Sequence, residues 1–357
     1  MNNIKTVSFI AILILSTNCL NYAFAGEQDT NTSSDREIRK EYKIFKDHHL
    51  KDIHSFKLFK YKKGDKTAYV SFPLPIIIYC EGELDVFMSS KFYNHKNKRV
   101  EYKVDDRIYK IDDHEHIKAS NSLGEPLNAL DLSITKNVAF ILLAFFIMVV
   151  VFGKMAKSYK HNSLPSGIGR FLEPIVLYIR DDIARPNIGE RHYKRYMSFL
   201  LTVFFFIWFV NLFGLTPLGS NVTNSIAVTA SLAVLTYVIT TFTANKNYWG
   251  HIFWMPGVPT PMKIILAPIE LLGTIIKPFS LMIRLYANMT AGHVVLMSIL
   301  GLIFIFQNWL GGTLSFGLAF ALALLELLVC ALQAYIFTML SALYFGAAVE
   351  EHHHEEH

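Results

Sequence analysis

Two apolar stretches toward the C-terminal end of the chain carry ionisable and amide side chains. Together they contribute Arg284, Asn288, His293, Glu326 and Gln333. Placing a charge at the centre of a bilayer costs about 2.5–3.5 kcal/mol on insertion scales, and such residues usually mark ion or substrate paths. Imidazole and carboxyl groups exchange protons, whereas a guanidinium keeps its charge. The residue types therefore favour proton chemistry inside a membrane.

Helical spacing sorts the polar residues of the first stretch onto faces. At 100° per residue, Ser280, Arg284 and Asn288 share one face because they are four residues apart. Lys277 lies about 20° and Glu270 about 40° from that face. We expect a polar stripe that leads from one end of the helix to Arg284. Lys277 and Glu270 could instead be anchors whose charged ends reach the membrane surface.

His293 follows Arg284 by nine residues, which places it about half a turn away on the opposite face. In the second stretch, Glu326 and Gln333 are seven residues apart and share a face. Because His293 and Arg284 lie on opposite faces, polar access changes sides at Arg284 if the helix is regular. A tight turn between the two helices can bring Glu326 near His293. The alternative is structural, with buried polar groups pairing only to fix neighbouring helices; it is strongest for Gln333.

The elements that carry these residues are five apolar blocks. They lie near 136–153, 196–216, 224–243, 262–306 and 310–348. A span needs roughly 20 apolar residues, and 52% of the 357 residues are hydrophobic, so the chain is predicted to be an all-α polytopic membrane protein. A fourth helix of about 44 residues is about 66 Å long, against a hydrocarbon core of about 30 Å. We expect the last two helices to form a long, steeply tilted hairpin, with bending points at Pro278 and Gly292.

The first 130 residues do not belong to the five apolar blocks. Residues 1–25 are predicted to be a signal peptide, with a short apolar run and an Ala-Phe-Ala cleavage site; a short membrane helix is the alternative. Residues 26–130 are expected to form a small exported α+β domain. Within it the sequence predicts a helix over 33–60, strands in 66–80 and 83–93, and a linker at 119–133. No polar residue there belongs to an apolar block, so we expect this domain to lie outside any ion path.

Cysteine and histidine usage favours no metal site. Cys80 is the one cysteine expected in the exported part, so no internal disulfide is predicted. Five histidines of this part read as scattered surface residues rather than metal ligands: His48, His49, His54, His114 and His116. The tail at 350–357 reads as a solvated, disordered end, with a metal-binding tract as the alternative.

Charge in the loops predicts the orientation. The loops at 153–197 and 244–263 contain nine and two Lys and Arg residues, whereas the short turns near 217–222 and 307–312 contain none. The positive-inside rule places basic loops in the cytoplasm. Five spans then put the N-terminus outside and the C-terminus inside, which agrees with a signal peptide. We expect a bacterial inner-membrane protein with a periplasmic N-terminal domain and a membrane domain at 131–349.

Three separated segments resemble the ATP synthase a subunit family. IELLGTIIKPFSLMIRLYANMTAGHVVL at 269–296 resembles its signature helix, and LQAYIFTMLSALYFGAAV at 332–349 its last helix. LEPIVLYIRDDIARPNIG at 172–189 resembles its cytoplasmic interfacial segment. The resemblance covers roughly residues 130–350.

The resemblance implies a stationary ion channel that lies against a rotating ring of c subunits, each with a membrane carboxylate. Arg284 matches the arginine that faces the ring. Asn288, His293, Glu326 and Gln333 match polar positions of the external half-channel, and Ser280, Lys277 and Glu270 match positions toward the cytoplasmic exit. The implied partners are the c ring, the b subunits of the peripheral stalk, other ATP synthase subunits and lipid. The implied ion is H⁺, with Na⁺ the alternative.

Other functions require sequence features that the chain lacks. There is no P-loop, so we expect a non-catalytic subunit with no cofactor, and no nucleic-acid motif accompanies the net charge of +5. A proton-coupled secondary transporter predicts internal repeats with paired broken helices. A membrane-tethered binding domain does not require Arg284, Glu326 or Gln333 within its spans.

Overall fold

A computed structural model gives the fold of the chain. It describes residues 52–63, 66–93, 99–112, 115–161, 167–216, 222–255, 258–305 and 309–350. The predicted signal peptide, the part of the predicted helix before residue 52, the tail after residue 350, and His48, His49 and His114 lie outside the described residues.

Residues 52–135 form antiparallel sheets. The strands are β1 (Ser55–Lys63), β2 (Lys66–Pro73), β3 (Pro75–Cys80), β4 (Glu83–Met88), β5 (Tyr102–Val104), β6 (Arg107–Ile111), β7 (Ile117–Asn121), β8 (Pro126–Leu127) and β9 (Ala129–Asp131). They pair as β1–β2, as β4–β3–β9 and as β5–β6–β7–β8. A 3₁₀ turn (Ser89–Phe92) follows β4. We call residues 52–135 the β region.

Alternation along the strands builds the core of the β region. Ile76, Ile78 and Cys80 point to one side of β3, and Tyr109 and Ile111 to one side of β6. All five are buried in one cluster, as expected when successive side chains of a strand point to opposite faces. Cys80 is a buried free thiol in this core.

Three predictions for the β region were wrong. The helix predicted over 33–60 is strand β1 from Ser55 onward, because aromatic residues alternate with lysines there and the segment pairs along its length with β2. The linker predicted at 119–133 contains strands that pair with β6 and β3; short polar strands resemble loops in composition. His54 is not a surface residue, since only 4% of it is exposed.

Helices make up most of the described residues after residue 135. They are α1 (Lys136–His161), α2 (Ile168–Tyr178), α3 (Arg185–Ile188), α4 (Tyr193–Gly214), α5 (Ile226–Thr243), α6 (Lys246–Phe253), α7 (Thr260–Ile305) and α8 (Trp309–Val349). A π-helical segment (Ile179–Ala184) joins α2 to α3, and a 3₁₀ turn (Val222–Asn224) precedes α5. Five of these helices, α1, α4, α5, α7 and α8, are long and apolar enough to span a bilayer, which confirms the prediction of a polytopic membrane protein.

The two last helices are the longest. α7 has 46 residues and remains one helix through Pro268 and Pro278, and α8 has 41 residues. At 1.5 Å per residue they are about 69 Å and 62 Å long, about twice the thickness of a hydrocarbon core.

α8 packs against α7, α4, α5 and the segment from the π helix to α3. The shared core includes Leu200, Phe205, Phe337 and Phe345, each at most 1% exposed. The stacked rings of Tyr196 and Phe345, 4.5 Å apart, join α4 to α8. This packing fixes the faces that α7 and α8 present to each other.

Candidate functional site

The buried face of α7 is defined by a stripe at four-residue steps. Leu281, Leu285, Met289 and His293 are all buried, with exposures of at most 3%. The first three are apolar and pack in the core of the helical region. His293 continues the same stripe, which is why it is buried although it is ionisable. The predicted separation of His293 from Arg284 is confirmed.

The opposite face of α7 carries the predicted polar stripe. Ser280, Arg284 and Asn288 are exposed in the isolated chain, and the neighbouring Phe279 and Ile283 are exposed apolar residues. Within the described part of the chain, Arg284 forms no hydrogen bond or ion pair. A permanent cation therefore lies on an apolar helix surface without a counter-charge from any described residue.

His293 and Glu326 meet between α7 and α8. His293 Nδ1 lies 4.0 Å from Glu326 Oε1, and Glu326 is 4% exposed. No described residue donates a hydrogen bond to either carboxylate oxygen of Glu326. The proximity expected from the hairpin is confirmed. Two groups that can each bind a proton thus face each other in an apolar interior.

An amide pair lies beside this site. Asn288 Nδ2 donates a hydrogen bond to Gln333 Oε1 at 3.1 Å. Gln333 is 3% exposed, whereas Asn288 belongs to the exposed face. The pair therefore connects the buried side of the hairpin to the face that carries Arg284.

Lys277 and Glu270 lie on the other side of Arg284 along α7. Lys277 is exposed, and its Nζ lies 5.8 Å from the ring centroid of Tyr344 on α8. A small cleft beside it is lined by hydroxyl groups from α5, α7 and α8, those of Thr236, Thr240, Thr274 and Tyr344. Glu270 is half-buried and, among the described residues, is not brought into contact with Arg284.

Several polar residues near His293 were missed by the sequence analysis. Thr290 donates a hydrogen bond to Asn224 of the turn before α5, and Thr223 donates one to Asn211 Oδ1 of α4 at 2.8 Å. Spacing along one helix cannot reveal these pairs because their partners come from other elements. Gly292 was noted only as a bending point; a Cβ there would lie 3.5 Å from Glu326 Oε1, so this position of α7 directly faces the carboxylate.

No group of three or more metal-ligating side chains is found among the described residues.

The fold and the site define a multi-pass membrane protein that buries a histidine and a glutamate between two overlong helices and exposes an arginine on the opposite face. The family described as ATP synthase A chain matches residues 138–346, and the chain belongs to this family, which is that of a non-catalytic ion-channel subunit.

Individual relatives agree with the family match. ATP synthase subunit a of Chloroherpeton thalassium is 42% identical over 239 residues, which cover 65% of this chain and 72% of the relative. ATP synthase subunit a 2 of Chlorobaculum tepidum is 44% identical over 227 residues, covering 61% and 64%. ATP synthase subunit a of an Anaeromyxobacter species is 39% identical over 261 residues, covering 70% and 63%. The chain thus spans somewhat less than two thirds of the second and third of these relatives.

The β region has a separate match. A domain of unknown function (DUF8433) matches residues 45–138. This range ends just inside α1, where the family match to the helical region begins. The two matches meet at the junction between the β region and the first long helix.

Proposed function

We propose that the chain is the stationary ion-conducting a subunit of an ATP synthase, passing protons through two half-channels to and from the carboxylates of a c ring. The observation that carries the proposal is the division of α7 into two faces. Arg284 lies on the exposed apolar face with no ion-pair partner among the described residues, whereas His293 is buried with Glu326 on the other. The membership of the chain in the ATP synthase A chain family supports the same proposal.

The exposed position of Arg284 calls for an anionic partner. Phe279 and Ile283, which lie close to it on α7, are large exposed hydrophobic residues. A cation that faced lipid at this depth would be costly. A carboxylate on an apolar protein surface supplies both the counter-charge and the packing. A c ring, with its membrane carboxylates, is a partner with both properties.

Arg284 acts electrostatically and binds no substrate. Its guanidinium stays charged and stabilises the ionised form of each ring carboxylate that passes. A ring carboxylate must therefore release its proton on one side of Arg284 and bind another on the other side. The fixed cation also blocks a continuous proton path between the two half-channels.

The buried cluster serves as the external half-channel. His293 and Glu326 supply two groups that bind and release protons, and the Asn288–Gln333 hydrogen bond reaches from them toward the face of Arg284. An amide cannot take up and release protons as a carboxylate does, but it can order water. Protons would enter at His293 and Glu326 and reach the ring near Asn288.

The cytoplasmic half-channel is assigned to the other end of α7. Ser280, Lys277 and Glu270 lie on that side of Arg284, and the hydroxyl-lined cleft beside Lys277 provides polar surface at a depth where the helices are otherwise apolar. Loops rich in Lys and Arg lie at the same end of the helices.

Orientation and location follow from the loop charges. The basic loops place this end of the helices in the cytoplasm of a bacterial inner membrane, with the C-terminus inside. Residues 26–130 are then a periplasmic domain behind a signal peptide at 1–25, and residues 131–349 are the channel domain. The b subunits of the peripheral stalk hold the chain against the ring. The proposed ion is H⁺, because His293 and Glu326 bind protons.

Purification of the native complex tests this function. The chain is tagged and purified after mild solubilisation, and the co-purifying chains are identified. They should include a small membrane protein with a membrane carboxylate, present in several copies, together with the ATP-hydrolysing subunits. The recovered complex should acidify liposomes when ATP is added. Recovery of the chain alone, with transport that needs no ATP and no other chain, would support a secondary transporter instead.

A further inference from the structure

Hydrogen bonds join the β region to the first membrane helix. Leu132 N donates to Ile77 O at 2.9 Å, and Ile134 N donates to Pro75 O at 3.1 Å, so the chain stays paired with β3 until α1 begins. At the start of α1, Lys136 N donates to Ile53 O at 3.0 Å. The β region is therefore fixed in place at the entrance of α1.

Asp52 completes this junction. Its Oδ1 accepts a hydrogen bond from Asn137 N at 3.0 Å, across 85 residues of sequence. The first amides of a helix lack partners within the helix, and a carboxylate is favourable there because of the helix dipole. Asp52 thus caps the first membrane helix from a different part of the fold.

The cap places a negative charge beside a buried positive one. Lys136 is 5% exposed, and Asp52 lies beside it because the amides of Lys136 and Asn137 donate to Ile53 O and Asp52 Oδ1. Phe140 of α1 packs on the turn before α5, and this turn is hydrogen-bonded to α7 three residues before His293, so the start of α1 lies near His293. A chain of charges therefore runs from Asp52 of the β region, through Lys136 of α1, to the His293–Glu326 pair.

Few other titratable groups reach this pair. From the described part of α8, Cys330 lies one turn after Glu326 and interacts with it. α4 and the turn before α5 contribute the uncharged Asn211, Thr223 and Asn224. Among the described residues, Lys136 is thus the charged group from outside α7 and α8 that lies near His293.

We propose that Lys136 sets the pH range in which the His293–Glu326 pair takes up protons, and that Asp52 of the β region is its counter-ion. The inference rests on the proposed function, because it assumes that the pair is the external entrance. It assigns the β region a role in ion entry, in contrast to the expectation that this region lies outside the ion path. A nearby ammonium disfavours a second positive charge on the pair, and a carboxylate beside the ammonium weakens that effect.

Two substitutions should move the pH dependence in opposite directions. Lys136→Met removes the cation, so protons bind more readily and the half-maximal rate should occur at a pH higher by about one unit. Asp52→Asn keeps an oxygen for the Asn137 amide but removes the counter-charge. The half-maximal rate should then occur at a lower pH, by a smaller amount.

The complex in liposomes provides the measurement. The lumen corresponds to the periplasm, and ATP synthesis is followed as the luminal pH varies at constant membrane potential and constant external pH. Lys136→Arg should keep the wild-type midpoint because it keeps the charge. Lys103→Met, at an exposed position in β5, is the matched control and should change nothing.

Lower rates with unchanged midpoints in both variants would overturn the inference, since Lys136 and Asp52 would then only fasten the β region to α1. Shifts of both variants in the same direction would overturn it as well. The proposed function fails separately, through ATP-driven pumping that survives the loss of Arg284.

Discussion

His293 Nδ1 lies 4.0 Å from Glu326 Oε1, and both side chains are buried between α7 and α8. Ionising either group alone in this interior is costly, whereas a proton shared between them leaves a neutral pair or an ion pair. Two sites this close titrate together rather than one by one. The pair is therefore one proton-binding unit contributed by two helices.

Exchanging the two residues tests whether they act as a unit. Glu326→Gln should slow proton-driven ATP synthesis without preventing assembly, because glutamine cannot carry the proton. The double exchange of His293→Glu with Glu326→His restores an acid and a base at the same two positions. It should recover more activity than either single exchange.

Rates of all variants are compared at equal amounts of assembled complex. The outcome depends on whether the effects of the substitutions are additive, since substitutions at distant sites have additive effects and substitutions at coupled sites do not. If the effects of the two single exchanges simply add in the double exchange, the sites are independent and a shared relay is wrong.

Adding a side chain at Gly346 should lower the stability of the protein strongly. A Cβ at this position would overlap the carbonyl oxygen of Asn187, where α8 packs against the end of α3. Backbone cannot yield as a flexible side chain can, so Gly346→Ala should cost about 1–3 kcal/mol of stability. Gly317→Ala on the same helix meets no atom within 4 Å and should be neutral or slightly stabilising. Thermal denaturation of the purified complex measures both, and equal midpoints would contradict the packing at Gly346.

Much of the helical region could be predicted from the sequence. Unbroken apolar runs identify the five spans, and 100° per residue places Arg284 and His293 on opposite faces because α7 is regular through both. The proximity of Glu326 followed from the hairpin. These features depend on local periodicity and on one short connection.

Features that depend on distant pairing could not be predicted. Ser55–Lys60 was predicted to be helical because its charged neighbours favour helix, and only pairing with β2 makes it a strand. Asp52 and Lys136 are far apart in sequence, and a lysine at the start of an apolar block looks like an ordinary anchor. The pairing of Thr290 with Asn224 likewise depends on how α7 packs against the turn before α5.

His54 makes the stability of the β region depend on pH. Burial lowers the pKa of His54 from its usual 6.5, although Asp131, Asp52 and Glu115 oppose the change. Below about pH 6.5 the unfolded chain binds a proton that the folded region does not, so stability falls as the pH drops; above pH 6.5 both states are neutral and the effect vanishes. Neither ring nitrogen has a hydrogen-bond partner among the described residues, so His54→Leu should remove much of this dependence.

Pulse proteolysis in urea measures this effect at pH 5.5 and pH 7.5. The urea midpoint of the wild-type β region should be lower at pH 5.5, and the difference should shrink in His54→Leu. Lys103→Leu, at an exposed position in β5, is the control and should keep the wild-type difference. An undiminished difference in His54→Leu would show that other groups cause the pH dependence.

The proposed orientation predicts where proteases can act. Protease added to intact spheroplasts should digest the β region, because it is expected in the periplasm. A tag placed after residue 350 should stay intact until the cells are lysed, because five spans put the two ends on opposite sides. A β region that is cut only after lysis would refute the orientation.

Arg284 is the residue on which the account most depends, and ATP-driven proton pumping by inverted membrane vesicles is the most direct test. Arg284→Ala should abolish pumping in an assembled complex. Arg284→Lys should be severely impaired, since lysine carries a more strongly hydrated point charge on a flexible stem. Complex content is verified in each preparation, so that lost pumping cannot reflect lost assembly. Absence of pumping with normal assembly in Arg284→Ala is the predicted result, and pumping at the wild-type rate would contradict the electrostatic gate.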